Sequence, residues 1–117
     1  MKKEQRILKN YEFSRLISRK KTLRSPSFVL YYQPKKEEHA RLGISVSKKL
    51  GNAVVRNRIK RQIRAMADEV FHFDGAHDAV VIVRPPYKKQ TFDQNRKELA
   101  RLFTNMSHMI AKRKERS

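Results

Sequence analysis

The stretch KKLGNAVVRNRIKRQIR, residues 48–64, constrains the fold more than any other, because its apolar and cationic residues keep separate helical phases. With Val55 at zero and 100° per residue, Ile59, Ile63, Met66 and Val70 fall within an arc of about 80°. Arg56, Lys60, Arg64, Asn57 and Arg61 fill the adjoining arc from about 100° to 240°, and Arg58 lies beyond it. A helix divided in this way has to bury one side in a core while its cations point outward. Gly51 supplies the turn before it and Asn52 its side-chain cap.

These cations have no acids beside them. A solvated helix ordinarily alternates signs, whereas Arg56, Lys60 and Arg64 form a like-charged i, i+4 ladder, which is mildly destabilising. No acid occurs from Ala40 to Ala67, and over the chain 29 Lys and Arg face 11 Asp and Glu, a formal charge of +18. A field of that size favours a polyanion, either nucleic acid or an anionic membrane surface. Arg presents a planar fork to phosphate oxygens, and Asn57 an amide that reaches a base edge or ribose hydroxyl. Lys48 and Lys49, just ahead of the first-turn amides, add to the same attraction. KKLGN is no Walker loop, having one glycine and the wrong order of residues.

The length of 117 residues suits one domain. After a basic arm of about residues 1–9, Asn10 is placed to cap a short helix with Phe13, Leu16 and Ile17 on one side. FVLYY, 28–32, suits a strand, and QPKKEEHA reads as a solvated connection. RLGISVS, 41–47, alternates as a half-buried strand, with Leu42, Ile44 and Val46 facing one way and Gly43, Ser45 and Ser47 the other. DAVVIV, 78–83, is a strand covered on both faces, ended by Arg84, Pro85 and Pro86. Thr91 and Gln94 form a capping box for an amphipathic helix carrying Phe92, Leu99, Leu102, Phe103, Met106 and Ile110. A frayed basic tail, about 111–117, follows. The order helix, strand, strand, helix, strand, helix implies one small α+β domain.

The absence of cysteine excludes disulfides, thiolate zinc sites and a cysteine nucleophile. No stretch approaches the ~18 apolar residues of a membrane span, and MKKEQRILKN lacks a signal-peptide centre, so a soluble cytoplasmic protein is expected. No helix-turn-helix, zinc-finger or zipper arrangement points to duplex DNA. RNA recognition adds surfaces where unpaired bases stack on aromatic rings. If Phe28, Leu30 and Tyr32 join Leu42, Ile44 and Val46 in the core, Val29 and Tyr31 share the opposite face with Gly43, Ser45 and Ser47. Phe13 and Ile17 laid along that face would make a groove of single-strand width. They are equally ordinary packing positions; the pattern favours packing for Ile17 and leaves Phe13 open.

GISVSKKLGNAVVRNRIKRQIR, residues 43–64, resembles the signature of bacterial ribonuclease P protein components, whose R-N-R hallmark stands here as Arg56-Asn57-Arg58. KNYEFSRLI, FVLYY and VVIVRPP resemble the family in order and spacing, so the likeness spans nearly the whole chain. It implies a single sandwich in the order α-β-β-β-α-β-α, with a mixed sheet packed by helices, an extra short strand near Thr22 to Ser25, and a left-handed β-α-β crossover. It also implies a protein subunit without hydrolytic groups of its own, working with a catalytic RNA that cuts the 5′ leader from precursor tRNA using RNA-bound magnesium. By this resemblance Lys49, Arg56, Asn57, Arg58 and Arg61 face the catalytic RNA. Phe13, Ile17, Tyr31, Ser45, Lys48, Lys60 and Arg64 line the leader groove, although Ile17 stands where relatives commonly carry a second aromatic.

Two other readings compete. HFDGAHD gathers His72, Asp74, His77 and Asp78, which a protein-only metallonuclease would need, yet the spacing matches no metal motif, and a two-metal site needs several converging carboxylates. A ribosomal or general RNA-binding module without a processing role fits the composition equally well; only the R-N-R signature counts against it.

Overall fold

The computed structural model describes residues 1–7, 9–18, 21–34, 39–71, 73 and 77–116, with 113–116 described by backbone alone. Helix α1 spans Asn10–Ser18, α2 Ala53–Val70 and α3 Phe92–Arg116; strands β1 to β4 span Thr22–Arg24, Phe28–Pro34, Arg41–Val46 and His77–Val83. The order is the α-β-β-β-α-β-α expected, including the short extra strand β1. Short 3₁₀ turns at Lys3–Gln5, Lys48–Leu50 and Pro85–Lys89 join these elements.

The four strands form one sheet in the order β1-β2-β4-β3. β4 runs antiparallel to β2 and parallel to β3, so β3–α2–β4 is a parallel crossover and the sheet is mixed. β4 is the central hydrophobic run, and both its faces are covered as the unbroken DAVVIV pattern required. On one side Ala79, Val81 and Val83 meet Phe28, Leu30, Leu42 and Val46 beneath α2 and α3. On the other, Val80 and Ile82 pack with Leu16 and Phe13 of α1 and with Ile7. The molecule is therefore three layers: α2 with α3, the sheet, and α1.

Helix α2 starts where the sequence placed it. The Asn52 side chain accepts from the Val55 amide at 3.0 Å, and Gly51 takes φ 141°, which a side chain would resist. Ile59, Ile63 and Met66 are buried, Val55 and Val70 partly so. The Thr91–Gln94 box closes in both directions, at 2.9 and 3.1 Å. Three local expectations shift. The first amides of α1 are received by the Lys9 carbonyl, so Asn10 is the first helical residue rather than the cap. Phe92, in phase with Leu99, is exposed, because the first turn of α3 turns a polar side toward the protein: Asn95 is buried and donates to the Tyr87 carbonyl at 3.1 Å. Helix α3 continues through residues 111–116, where the sequence suggested a frayed tail.

The amino-terminal segment, expected as an arm, makes specific contacts. The Met1 ammonium bonds the Asp68 carboxylate at 2.7 Å, Arg6 bridges to Leu42 of β3, and Ile7 is buried. No helix among the described residues is long and apolar enough to cross a membrane.

Candidate nucleic-acid interface

The register of the sheet sets the groove. Tyr31, Val80 and Gly43 form one cross-strand row, and Val29, Ile82 and Ser45 the next, all on the α1 side. β4 thus stands between β2 and β3, and α1 lies over its row through Leu16. Part of the face that looked open is consequently covered. The ring of Phe13 sits so close over Gly43 that an added Cβ would lie 2.8 Å from its Cζ.

A cavity of about 470 Å³ remains beside this covered patch. Helix α1 supplies one wall through Phe13, Ser14 and Ile17; β3 contributes Ser45; α2 supplies the facing wall through Lys60 and Arg64. Five of the seven residues assigned to the groove from sequence therefore share one cavity. Ile17, favoured as a packing residue, is instead 38% exposed at its rim, while Leu16 takes the buried position. Tyr31, half-buried on β2, and Lys48, exposed in the turn before α2, line neither this cavity nor its neighbour.

The neighbour is a second concavity of about 470 Å³ on the outward side of α2, lined by Val54, Asn57, Lys60, Arg61 and Arg64. Lys60 and Arg64 border both, forming a cationic ridge between the groove and the outer face of the helix. Of the R-N-R residues, Asn57 faces this outer concavity; Arg58 is exposed outside it, and Arg56 is half-buried with its Nε enclosed and unbonded. Lys49 is exposed in the turn preceding α2.

Electrostatically the two sides of the molecule differ. Several acids elsewhere are engaged: Asp68 by the amino terminus, Asp93 by Arg96 and Lys97, Glu12 and Asp78 by Arg41. Among the described residues no ion pair with an acid is made by Lys48, Lys49, Arg56, Arg58, Lys60, Arg61 or Arg64. Burial, and next to it the charge of Arg6, push the Arg64 guanidinium below its ordinary value. Arg6, which sequence pattern did not single out, lines the groove beside Arg64 with its Nε buried and unbonded. Two guanidinium groups brought together without an acid repel each other, and an anion between them relieves that cost. Isolation within a basic arm gave Arg6 no pattern to be recognised by.

His72 and Asp74 of the alternative carboxylate–imidazole cluster lie outside the described residues. Asp78 is bound to Arg41, and His77 is buried against the Phe71 ring, with centroids 5.2 Å apart. Among the described residues no three His, Asp or Glu side chains gather as a metal-binding set.

Comparison with known proteins gives a consistent result. The family model described as Ribonuclease P matches residues 1–107. The ribonuclease P protein component of Mesoplasma florum is 45% identical over 104 residues, covering 87% of this chain and 94% of that protein. The solved Staphylococcus aureus RNase P protein is 41% identical with a TM-score of 0.79, over 87% of this chain and 94% of its own. The RNase P protein from Thermotoga maritima, 27% identical, superimposes with a TM-score of 0.74 over 86% of this chain and 96% of its own.

Proposed function

Because this chain belongs to the ribonuclease P protein family, we propose that it is the protein subunit of a ribonucleoprotein in which a catalytic RNA removes the 5′ leader of precursor tRNA. The observation that carries this reading is the segregation of charge, with the cations on and around α2 left without ion-pair partners among the described residues, beside a groove of about 470 Å³. Lys49, Arg56, Asn57, Arg58 and Arg61 contact the catalytic RNA. Phe13, Ile17, Ser45, Lys60 and Arg64 receive the leader in the groove, and Tyr31 and Lys48 flank it.

In this account the protein contributes binding and placement. Guanidinium and ammonium groups replace the counterions of two RNAs that would otherwise repel each other. Leader phosphates held along Lys60 and Arg64, with a base against Phe13, fix the scissile bond relative to the RNA and lower the entropy cost of reaching the reactive geometry. Magnesium ions carried by the RNA supply the activation of water. The protein works in the cytoplasm and takes no part in proton transfer.

Incubation of precursor tRNA and magnesium with protein alone, cognate catalytic RNA alone, or both tests the reading. The expected result is no cleavage by protein alone, and faster cleavage at low magnesium when protein joins the RNA. Cleavage by protein alone would establish a nuclease instead. Absence of any stimulation would favour a general RNA-binding module.

A further inference from the structure

Helix α1 carries the aromatic wall of the groove, yet its apolar support is slight. Among the described residues, the buried cluster beneath it holds Ile7, Leu16 and Val80, with Phe13 and Ile82 partly buried against them. A second attachment exists one turn before Leu16. Glu12 reaches Nη2 of Arg41 at 2.7 Å, and the same nitrogen lies 2.9 Å from Oδ2 of Asp78. Arg41 Nε also donates to Asp78 Oδ1 at 3.3 Å, giving a two-pronged bond between cross-strand partners of β3 and β4. All three side chains are largely withdrawn from solvent, Glu12 at 20% and Asp78 at 16% exposure. Two carboxylates converging on one cation is a notable use of acids in a chain that has 11 of them against 29 cations.

Helix geometry connects this bridge to the groove. Glu12 and Leu16 follow one i, i+4 line, and Phe13 and Ile17 the next, about 100° around. Any tilt of α1 permitted by loss of the bridge therefore moves Phe13 and Ile17 relative to Ser45, Lys60 and Arg64. We propose that Glu12 and Arg41, braced by Asp78, are positioning residues that set the width of the leader groove, a role that rests on the leader-groove reading above. They touch no RNA themselves: Arg41 is already matched by two carboxylates.

The charge makes this testable by sign. Removing Glu12 raises the net positive charge, so electrostatic attraction alone would tighten binding of every RNA. Loss of the bridge weakens the precursor specifically. With reconstituted holoenzyme, Glu12→Ala is expected to lower the affinity ratio of precursor over mature tRNA by roughly three- to tenfold, a fraction of what complete loss of a stacked base costs. Affinity for the catalytic RNA should be unchanged or slightly raised by the added positive charge, and Glu12→Gln, which keeps shape and one acceptor, should give a precursor preference between wild type and Glu12→Ala. An unchanged or increased precursor preference overturns the proposal, as does an equal loss of catalytic-RNA affinity, which would mark general unfolding. Phe13→Ala measured alongside separates the two levels. If it lowers the preference and Glu12→Ala does not, the bridge is dismissed and the groove stands; if Phe13→Ala has no effect, both fall.

Discussion

Gly43→Ala probes how the groove wall is seated. A methyl group at this position would stand 2.8 Å from Cζ and 2.9 Å from Cε1 of Phe13, and 3.2 Å from Cβ of Ile7. Carbon atoms rest at ~3.5–4.0 Å, so the ring has to retreat by roughly 1 Å. Overpacking of this kind costs ~1–3 kcal/mol, offset by the ~0.4–1 kcal/mol that replacing glycine takes from unfolded-state entropy. A net loss of about 1–2 kcal/mol corresponds to a fall in Tm of about 4–8 °C for a domain of this size. Thermal melting of four proteins, wild type, Gly43→Ala, Phe13→Ala and the double variant, measures the coupling directly. Gly43→Ala should cost clearly less when Phe13 is already truncated, and should lower precursor preference in the holoenzyme when Phe13 is present. An unchanged Tm, or the same loss in both backgrounds, would refute the seating of Phe13 on Gly43.

Asn52→Ala should destabilise the fold by about 1 kcal/mol through loss of the cap on the Val55 amide, read from denaturant midpoints. Glu98 has a folded-state pKa below its ordinary 4.5: burial pushes it up, but hydrogen bonds from Gln90, Ser25 and Ser27 outweigh burial. Its stabilisation is complete above 4.5 and is lost as pH falls through the lower folded value, so Glu98→Gln should flatten the acid limb of a stability-versus-pH curve. Arg6→Ala should weaken precursor binding and reduce its salt slope by about one unit, while leaving Tm unchanged or raised because the repulsion with Arg64 is relieved. Tyr31→Ala, outside the cavity, should reduce precursor preference less than Phe13→Ala does in the same assay.

Much of the fold was legible because most elements carried a local signal; the three-residue β1 carried none and was expected only from the family resemblance. The 3.6-residue phase of Ile59, Ile63 and Met66, the cap at Asn52 and the capping box at Thr91 each required only near neighbours in sequence. The unbroken run of β4 announced a strand buried on both faces. Its insertion between β2 and β3 depended on non-local pairing, for which no run of residues carries a mark. The same divide holds for the site. Charge without acids was visible at Arg56, Lys60 and Arg64, whereas the choice of Leu16 rather than Ile17 for burial depends on how α1 is rotated over Val80. The contact of Phe13 with Gly43, the approach of Arg6 to Arg64, and the convergence of Glu12 and Asp78 on Arg41 join residues about 30 to 66 positions apart. Only the assembled sheet brings them together.

On the proposed reading, the unneutralised cations of α2 bind RNA through its phosphates. The most direct test is the affinity of the protein for the cognate catalytic RNA over a series of salt concentrations, for wild type and for Arg58→Ala combined with Arg61→Ala. The double variant should bind more weakly with a log–log slope shallower by about two units, one for each lost phosphate contact. A slope identical to wild type would contradict the claim.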